Sequence, residues 1–192
     1  MTFDKEYYES NNYTNYLARQ DRYIRLAEEV VDYLKKMNLV QSPILDFGCA
    51  VGFLLEGLKK HGDCYGVEIS EWAIEEATKR GHDVRTEIMD VNHGLVFALD
   101  VFEHMPENEL TNFFYKLDAN AIVFRMPICA NSGEDYVLEC SRVDPTHLIR
   151  WTKEEWKKFF NSHGYITTDL QLSTIYNSEG VYAGLALRNQ CF

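Results

Sequence analysis

No stretch of the chain approaches the ~18 consecutive apolar residues of a membrane-spanning helix. The opening Met1-Thr2-Phe3-Asp4-Lys5-Glu6 lacks the basic-then-apolar order of a secretory leader. A cytoplasmic chain that does not engage a membrane is therefore expected. No CxxC pair occurs among the five cysteines Cys49, Cys64, Cys129, Cys140 and Cys191, and their number is odd. This argues against a disulfide framework and a zinc knuckle, and leaves reduced, mostly buried thiols as the expectation. Basic charge is also scarce. Nineteen Lys and Arg stand against thirty Asp and Glu, a net charge of −11, so the long-range field repels a polyanion and argues against a nucleic-acid partner. Internal repeats and low-complexity tracts are missing as well.

What is present is core material. With 46% hydrophobic residues over 192 positions, the chain can bury roughly 70% of the surface it exposes when unfolded, which excludes disorder and suits one domain. Residues 1–20 are polar and rich in tyrosine (Tyr7, Tyr8, Tyr13, Tyr16) without a sustained period, so a mobile N-terminal arm is expected, able to act as a lid. Residues 21–192 then form the single domain. Ile24, Ala27, Val30, Val31 and Leu34 keep helical spacing, which predicts a first helix over about 21–37.

After Pro43 the pattern changes to short apolar runs, 44–47, 64–67, 83–88, 95–99 and 121–126, separated by helical stretches at about 51–60, 71–80 and 107–117. Strands alternating with helices predict a parallel α/β sheet. Thr152-Lys153-Glu154-Glu155 is a capping box that opens another helix. Runs at 165–174 and 181–187, separated by a turn-like spacer ending in Gly180, predict a closing antiparallel hairpin.

The segment Ile44-Leu45-Asp46-Phe47-Gly48-Cys49-Ala50-Val51-Gly52 reads strand, small-residue turn, helix. Small side chains at 48, 50 and 52 let the backbone approach a ligand, and the helix start offers free N–H groups. Glu68 closes the next strand about twenty residues beyond Asp46, where a carboxylate can accept both hydroxyls of a ribose. A dinucleotide fingerprint would want G-x-G-x-x-G. Here the pattern is D-x-G-x-A-x-G, with Phe53 where the dinucleotide pattern would close.

In these residues the chain resembles the class I S-adenosylmethionine-dependent methyltransferases, from about Ile44 through the final hairpin. The resemblance implies a Rossmann-like seven-stranded, mostly parallel sheet with helices on both faces, order 3-2-1-4-5-7-6 and strand 7 antiparallel. It implies S-adenosyl-L-methionine as cofactor. Asp46, Gly48, Ala50 and Gly52 would cradle its methionine part, Glu68 would bind the ribose, and Ile69 would pack on the adenine. Asp90 and Val91 would be the adenine-contacting pair after the third strand, and the backbone near Leu99, in Phe97-Ala98-Leu99-Asp100-Val101-Phe102-Glu103-His104, would meet the methionine amine.

Methyl transfer requires mainly that the acceptor be positioned and, for a hydroxyl, deprotonated. Asp100, Glu103 and His104 share a face of a helical turn through their i, i+3, i+4 spacing, and His147 follows later in the chain. His104 and His147 are the expected catalytic residues. The D-x-x-E-H string with a later histidine resembles the magnesium site of small-RNA 2′-O-methyltransferases, although Asp rather than Glu holds its first position. Magnesium would orient and acidify a hydroxyl, but the metal-free reading is preferred. The long 127–146 connection and the N-terminal tyrosines are expected to wall the acceptor pocket. The implied function is methyl transfer to a small molecule, a sugar or other hydroxylated metabolite. A magnesium-assisted RNA 2′-O-methyltransferase and a non-catalytic cofactor-binding partner subunit are the alternatives. The net charge weighs against the first, and the second would be active only with another chain.

Overall fold

Alternation of side chains along three central strands decides the architecture, because each strand is apolar on both faces and must be covered twice. In the computed structural model, which describes residues 3–9 and 15–189, Ile44, Leu95, Phe97, Ala121 and Val123 face one layer while Leu45, Val96, Ala98, Ile122 and Phe124 face the other. Cys191 and residues 10–14 of the arm lie outside the described residues. The elements run α1 (Lys5–Glu9), α2 (Gln20–Lys35), β1 (Ile44–Phe47), α3 (Phe53–Leu58), β2 (Cys64–Val67), α4 (Glu71–Lys79), β3 (Val84–Arg85) and β4 (Leu95–Leu99). They continue with α5 (Glu107–Lys116), β5 (Ala121–Pro127), α6 (Glu139–Arg142), α7 (Lys153–Ser162), β6 (Tyr165–Asp169) and β7 (Val181–Arg188).

The sheet has the order β3-β2-β1-β4-β5-β7-β6. β1 to β5 pair in parallel, and β7 runs antiparallel to both β5 and β6. This is the topology that the methyltransferase resemblance implies. α2 and α3 cover one face through Leu26, Val30, Leu34, Leu54 and Leu58, and α5 and α7 cover the other through Leu110, Phe114, Trp156 and Phe160. The capping box is complete at the start of α7, with Thr152 and Glu155 each satisfying the other's backbone N–H.

Two strands are shorter than expected. β3 holds only two residues, because its neighbour β2 ends at Val67 and the chain beyond is drawn away, with Met89 N–H donating to the Tyr65 hydroxyl at 3.1 Å. β6 stops at Asp169 because the following segment binds α2 instead of the sheet edge. Ser173 and Thr174 donate backbone and hydroxyl hydrogens to Glu29. These bonds, with the Thr174 hydroxyl foremost, pull the Glu29 carboxyl down to about 2. The described part of the arm is not featureless: α1 buries Tyr8, and a 3₁₀ turn at Tyr16–Arg19 buries Tyr16. Of the thiols, Cys49 and Cys129 are buried, Cys64 is half-buried and Cys140 is exposed, all of them free.

Candidate functional site

The turn between β1 and α3 is wound by left-handed residues. Gly48 has φ +76°, and a Cβ there would stand 2.4 Å from Val101 Cγ2, so no larger side chain can let the end of β4 come so close. Ala50 takes φ +47° without being glycine, and its N–H donates to Glu68 Oε2 at 2.8 Å. The other oxygen, Oε1, accepts from Ile69 N–H and Ser70 N–H at 2.8 and 2.9 Å. One buried carboxylate at the end of β2 therefore holds two loops in register. Ser70 completes the join by capping α4 through Ala73 N–H.

These loops form a cavity of about 260 Å³ at the carboxyl ends of β1, β2 and β4, the edge where open α/β sheets bind ligands. Of the residues predicted from the sequence to hold a cofactor, Asp46, Gly48, Ala50, Glu68, Ile69 and Leu99 line it. Gly52, Asp90 and Val91 do not. Gly52 instead makes room for the His82 ring, 2.5 Å from where a Cβ would be. Asp90 and Val91 are exposed and absent from the cavity wall, since β3 ends at Arg85 and the chain leaves the sheet before it reaches them. Phe3, Tyr7, Tyr8, Tyr16 and Tyr23 close the cavity from the N-terminal side. Tyr8 leans on Trp72 with ring centroids 5.3 Å apart, and burial, then the Glu68 charge, pushes its phenol upward.

Asp46 is 3% exposed, and its Oδ2 has no hydrogen-bond partner among the described residues. Burial and, less strongly, the Glu68 charge push its carboxyl up to about 8. A neutral buried acid on the wall of an apolar cavity lacks a cation. The α-ammonium group of an amino-acid-bearing cofactor would supply one, so this wall fits S-adenosylmethionine.

A second cavity of about 360 Å³ adjoins the first, and Tyr23, Asp100 and His104 line both. His147 lines only the second. The two imidazoles are in ring contact, centroids 4.6 Å apart, and the tautomer of each follows from its partners. Thr146 Oγ1 donates to Asp144 Oδ1 at 2.5 Å, so it accepts from His104 Nδ1–H at 2.8 Å. His147 Nδ1 lies 3.0 Å from the Ser141 carbonyl, which can only accept. Both rings thus keep the Nε2 lone pair available. Burial, then the nearby His147, holds His104 down to about 4, so it is neutral at physiological pH.

Glu103 lies beside this pair, its Oε1 4.0 Å from His104 Nε2, fully buried and with neither carboxyl oxygen hydrogen-bonded among the described residues. Burial, then the Asp100 charge, pushes it well above the usual carboxylate range. Its carbonyl accepts from Leu148 and Ile149 N–H, which pins the segment carrying His147 against the end of β4. One ligand atom from each of Glu103, His104 and His147 lies within 4.8 Å of the others.

Asp100 does not join this cluster, although its spacing suggested that it would. Its carboxylate takes Arg125 Nε at 3.0 and 3.1 Å and also Arg125 Nη2, and its N–H donates to the Arg125 carbonyl at 2.7 Å. Burial opposes the Arg125 charge, and the Asp100 carboxylate more than offsets this. Arg125 was not singled out in the sequence, though it is the one charged residue in the run Ala121–Pro127. Arg125→Leu leaves Asp100 without its partner. Because that side chain is 39% exposed, water recovers part of the loss, and about 2 kcal/mol of destabilisation is expected. Thermal unfolding should show it as a fall of roughly 4–8 °C; an unchanged midpoint would mean that the pair contributes nothing.

No protein-family model matches the chain, and no curated protein matches its sequence. Solved structures do match it in fold. An S-adenosylmethionine-dependent methyltransferase from Clostridium acetobutylicum superposes with a TM-score of 0.67 at 13% identity, covering 93% of this chain and 100% of that one. Streptomyces venezuelae DesVI gives 0.66 at 18%, covering 90% and 94%. Magnesium protoporphyrin IX methyltransferase from Synechocystis, with bound S-adenosylmethionine, gives 0.60 at 16%, covering 96% and 95%. The fold is that of the class I S-adenosylmethionine-dependent methyltransferases.

Proposed function

We propose that this methyltransferase-like fold binds S-adenosylmethionine in the first cavity and transfers its methyl group to a small-molecule acceptor held in the second. The observation that carries this reading is Glu68: a buried carboxylate that holds the β1–α3 turn open and lines the resulting cavity, where ribose hydroxyls would find an acceptor. Bound there, the cofactor supplies an electrophilic methyl group on a sulfonium, which an acceptor displaces in line. The protein's part is to place the acceptor and to take its proton at the Nε2 of His104 or His147. Residues 3–9 act as a lid over the cofactor, and the acceptor is a hydroxylated metabolite.

Calorimetric titration with S-adenosylhomocysteine, with NAD as the control, tests the reading. Micromolar binding of the first and none of the second is expected. An ammonium group placed beside Asp46 should also expel its proton. At pH 7, titrations in two buffers of different ionisation enthalpy should report release of most of one proton, fading above about pH 9 where Asp46 is already ionised. NAD binding, or no S-adenosylhomocysteine binding, would overturn the assignment.

The convergence of Glu103, His104 and His147 favours one further reading, in which these three hold a divalent cation that acidifies the acceptor hydroxyl. Two imidazoles and one carboxyl suit manganese, cobalt or zinc better than magnesium. Asp100 is committed to Arg125 and would not contribute. Titration of each metal alone separates the two readings: binding that His147→Ala abolishes supports the cation, and its absence leaves the imidazoles as bases.

A further inference from the structure

The second cavity carries information about the acceptor, and the inference rests on the methyl-transfer reading above. Arg19, Arg22, Tyr23 and Leu26 all line it, spaced i, i+3, i+4 and i+7, so one stripe across the start of α2 forms one wall. In a chain of net charge −11, Arg19 and Arg22 join Arg125 around a single hollow, three arginines in all. The acidic groups on the same wall are engaged elsewhere than at Arg22. Asp100 is paired with Arg125, Glu103 is fully buried away from the cavity mouth, and Asp144 is held by the Thr146 hydroxyl and N–H and lies beside His147.

Arg22 is exposed at the mouth and forms no ion pair among the described residues. Burial and the Asp100 charge push the half-buried Tyr23 phenol upward, and the Arg125, Arg22 and Arg19 charges oppose them, so all three guanidinium groups lie within charge range of that hydroxyl. The rest of the wall mixes apolar and aromatic surface from Leu138, Ile175 and Tyr176 with the hydroxyls of Ser141, Thr174 and Ser178.

We infer that the methyl acceptor is an anion, bearing a carboxylate or a phosphate on an apolar or aryl body. Its anionic group is held at the α2 wall by Arg22, with Arg19 beside it. The methyl-accepting atom points inward to His104, where the two cavities meet. Guanidinium groups suit both anions, because each presents oxygen pairs to a planar fork of donors.

The test uses the full chain saturated with S-adenosylhomocysteine and three probes of one size: 4-hydroxybenzoate, phenyl phosphate and neutral 4-hydroxybenzamide, each followed by calorimetry. At least one anion is expected to bind at least tenfold more tightly than the amide, and which one does so tells a carboxylate site from a phosphate site. Arg22→Gln should reduce that preference about tenfold, Arg22→Lys should keep part of it, and neither should change S-adenosylhomocysteine affinity. Equal binding of anions and amide would overturn the inference. So would an Arg22→Gln variant that keeps the full preference, or an absence of anion binding up to about 10 mM. The titrations are repeated without S-adenosylhomocysteine. Anion preference there, with no S-adenosylhomocysteine binding, would sink the cofactor reading and leave the anion site standing.

Discussion

His104→Gln is expected to lower kcat by about 10² while leaving S-adenosylhomocysteine affinity within a factor of about three. His104 is the imidazole that lines both cavities, so it meets the acceptor where the cofactor's methyl group would lie. Its Nδ1–H is committed to Thr146, which is committed in turn to Asp144, so the ring is oriented and only Nε2 can take a proton. Burial holds its pKa to about 4, and this sets both the size and the pH dependence of the effect. A base that weak is fully unprotonated at neutral pH, but its proton affinity lies far from that of an alcohol. Its contribution therefore belongs at the low end of general-base catalysis. In the wild type, the activity that depends on this ring should be lost as pH falls through about 4 and stay flat above about 5. In the variant that acid limb should disappear. A kcat within threefold of wild type, or an acid limb unmoved by the substitution, would reduce His104 to a brace for the Thr146 segment.

The site was unevenly legible in the sequence, and the reason is distance along the chain. The β1–α3 turn and Glu68 are neighbours in a βαβ unit, so residue type and spacing alone bring Gly48, Ala50 and Glu68 together. Alternation of strands and helices gives only the parallel α/β class; the seven-strand order comes with the family resemblance that the same turn carries. The resemblance implies Asp90 and Val91 as the adenine-contacting pair after a third strand, and the short apolar run lets that strand reach residue 88. The strand ends at Arg85 because β2 offers it no partner beyond Val67, and the pair lies outside the cavity wall. The reach of Tyr8 to Glu68, of Arg125 to Asp100 and of His147 to His104 depends on packing across the sheet edge. The only sequence signal for Arg125 was a lone charge in an apolar strand. Asp100 shows the limit of spacing arguments. Its i, i+3 relation to Glu103 was real, but a left-handed backbone at φ +57° and the guanidinium next to it turned the carboxylate elsewhere.

Glu68→Ala should weaken S-adenosylhomocysteine binding by one to two orders of magnitude, the equivalent of losing one charge-assisted hydrogen bond of ~1.5–3 kcal/mol to the ribose. Glu68 also accepts from Ala50, Ile69 and Ser70 N–H, so the alanine variant leaves three backbone donors without their acceptor around a 6% exposed position. Those donors make the measurement ambiguous unless stability and binding are separated. Glu68→Gln separates them. Its amide oxygen can serve the backbone donors at one position, while its NH₂ cannot accept from a hydroxyl at the other. The expected order of unfolding midpoints is wild type, then glutamine, then alanine. The expected affinities instead place glutamine close to alanine, because both lack the second acceptor that the ribose needs. If affinity tracked the unfolding midpoints, Glu68 would be acting only as the clamp that winds the turn. Unchanged affinity in a folded glutamine variant would mean that the ribose does not sit at this carboxylate.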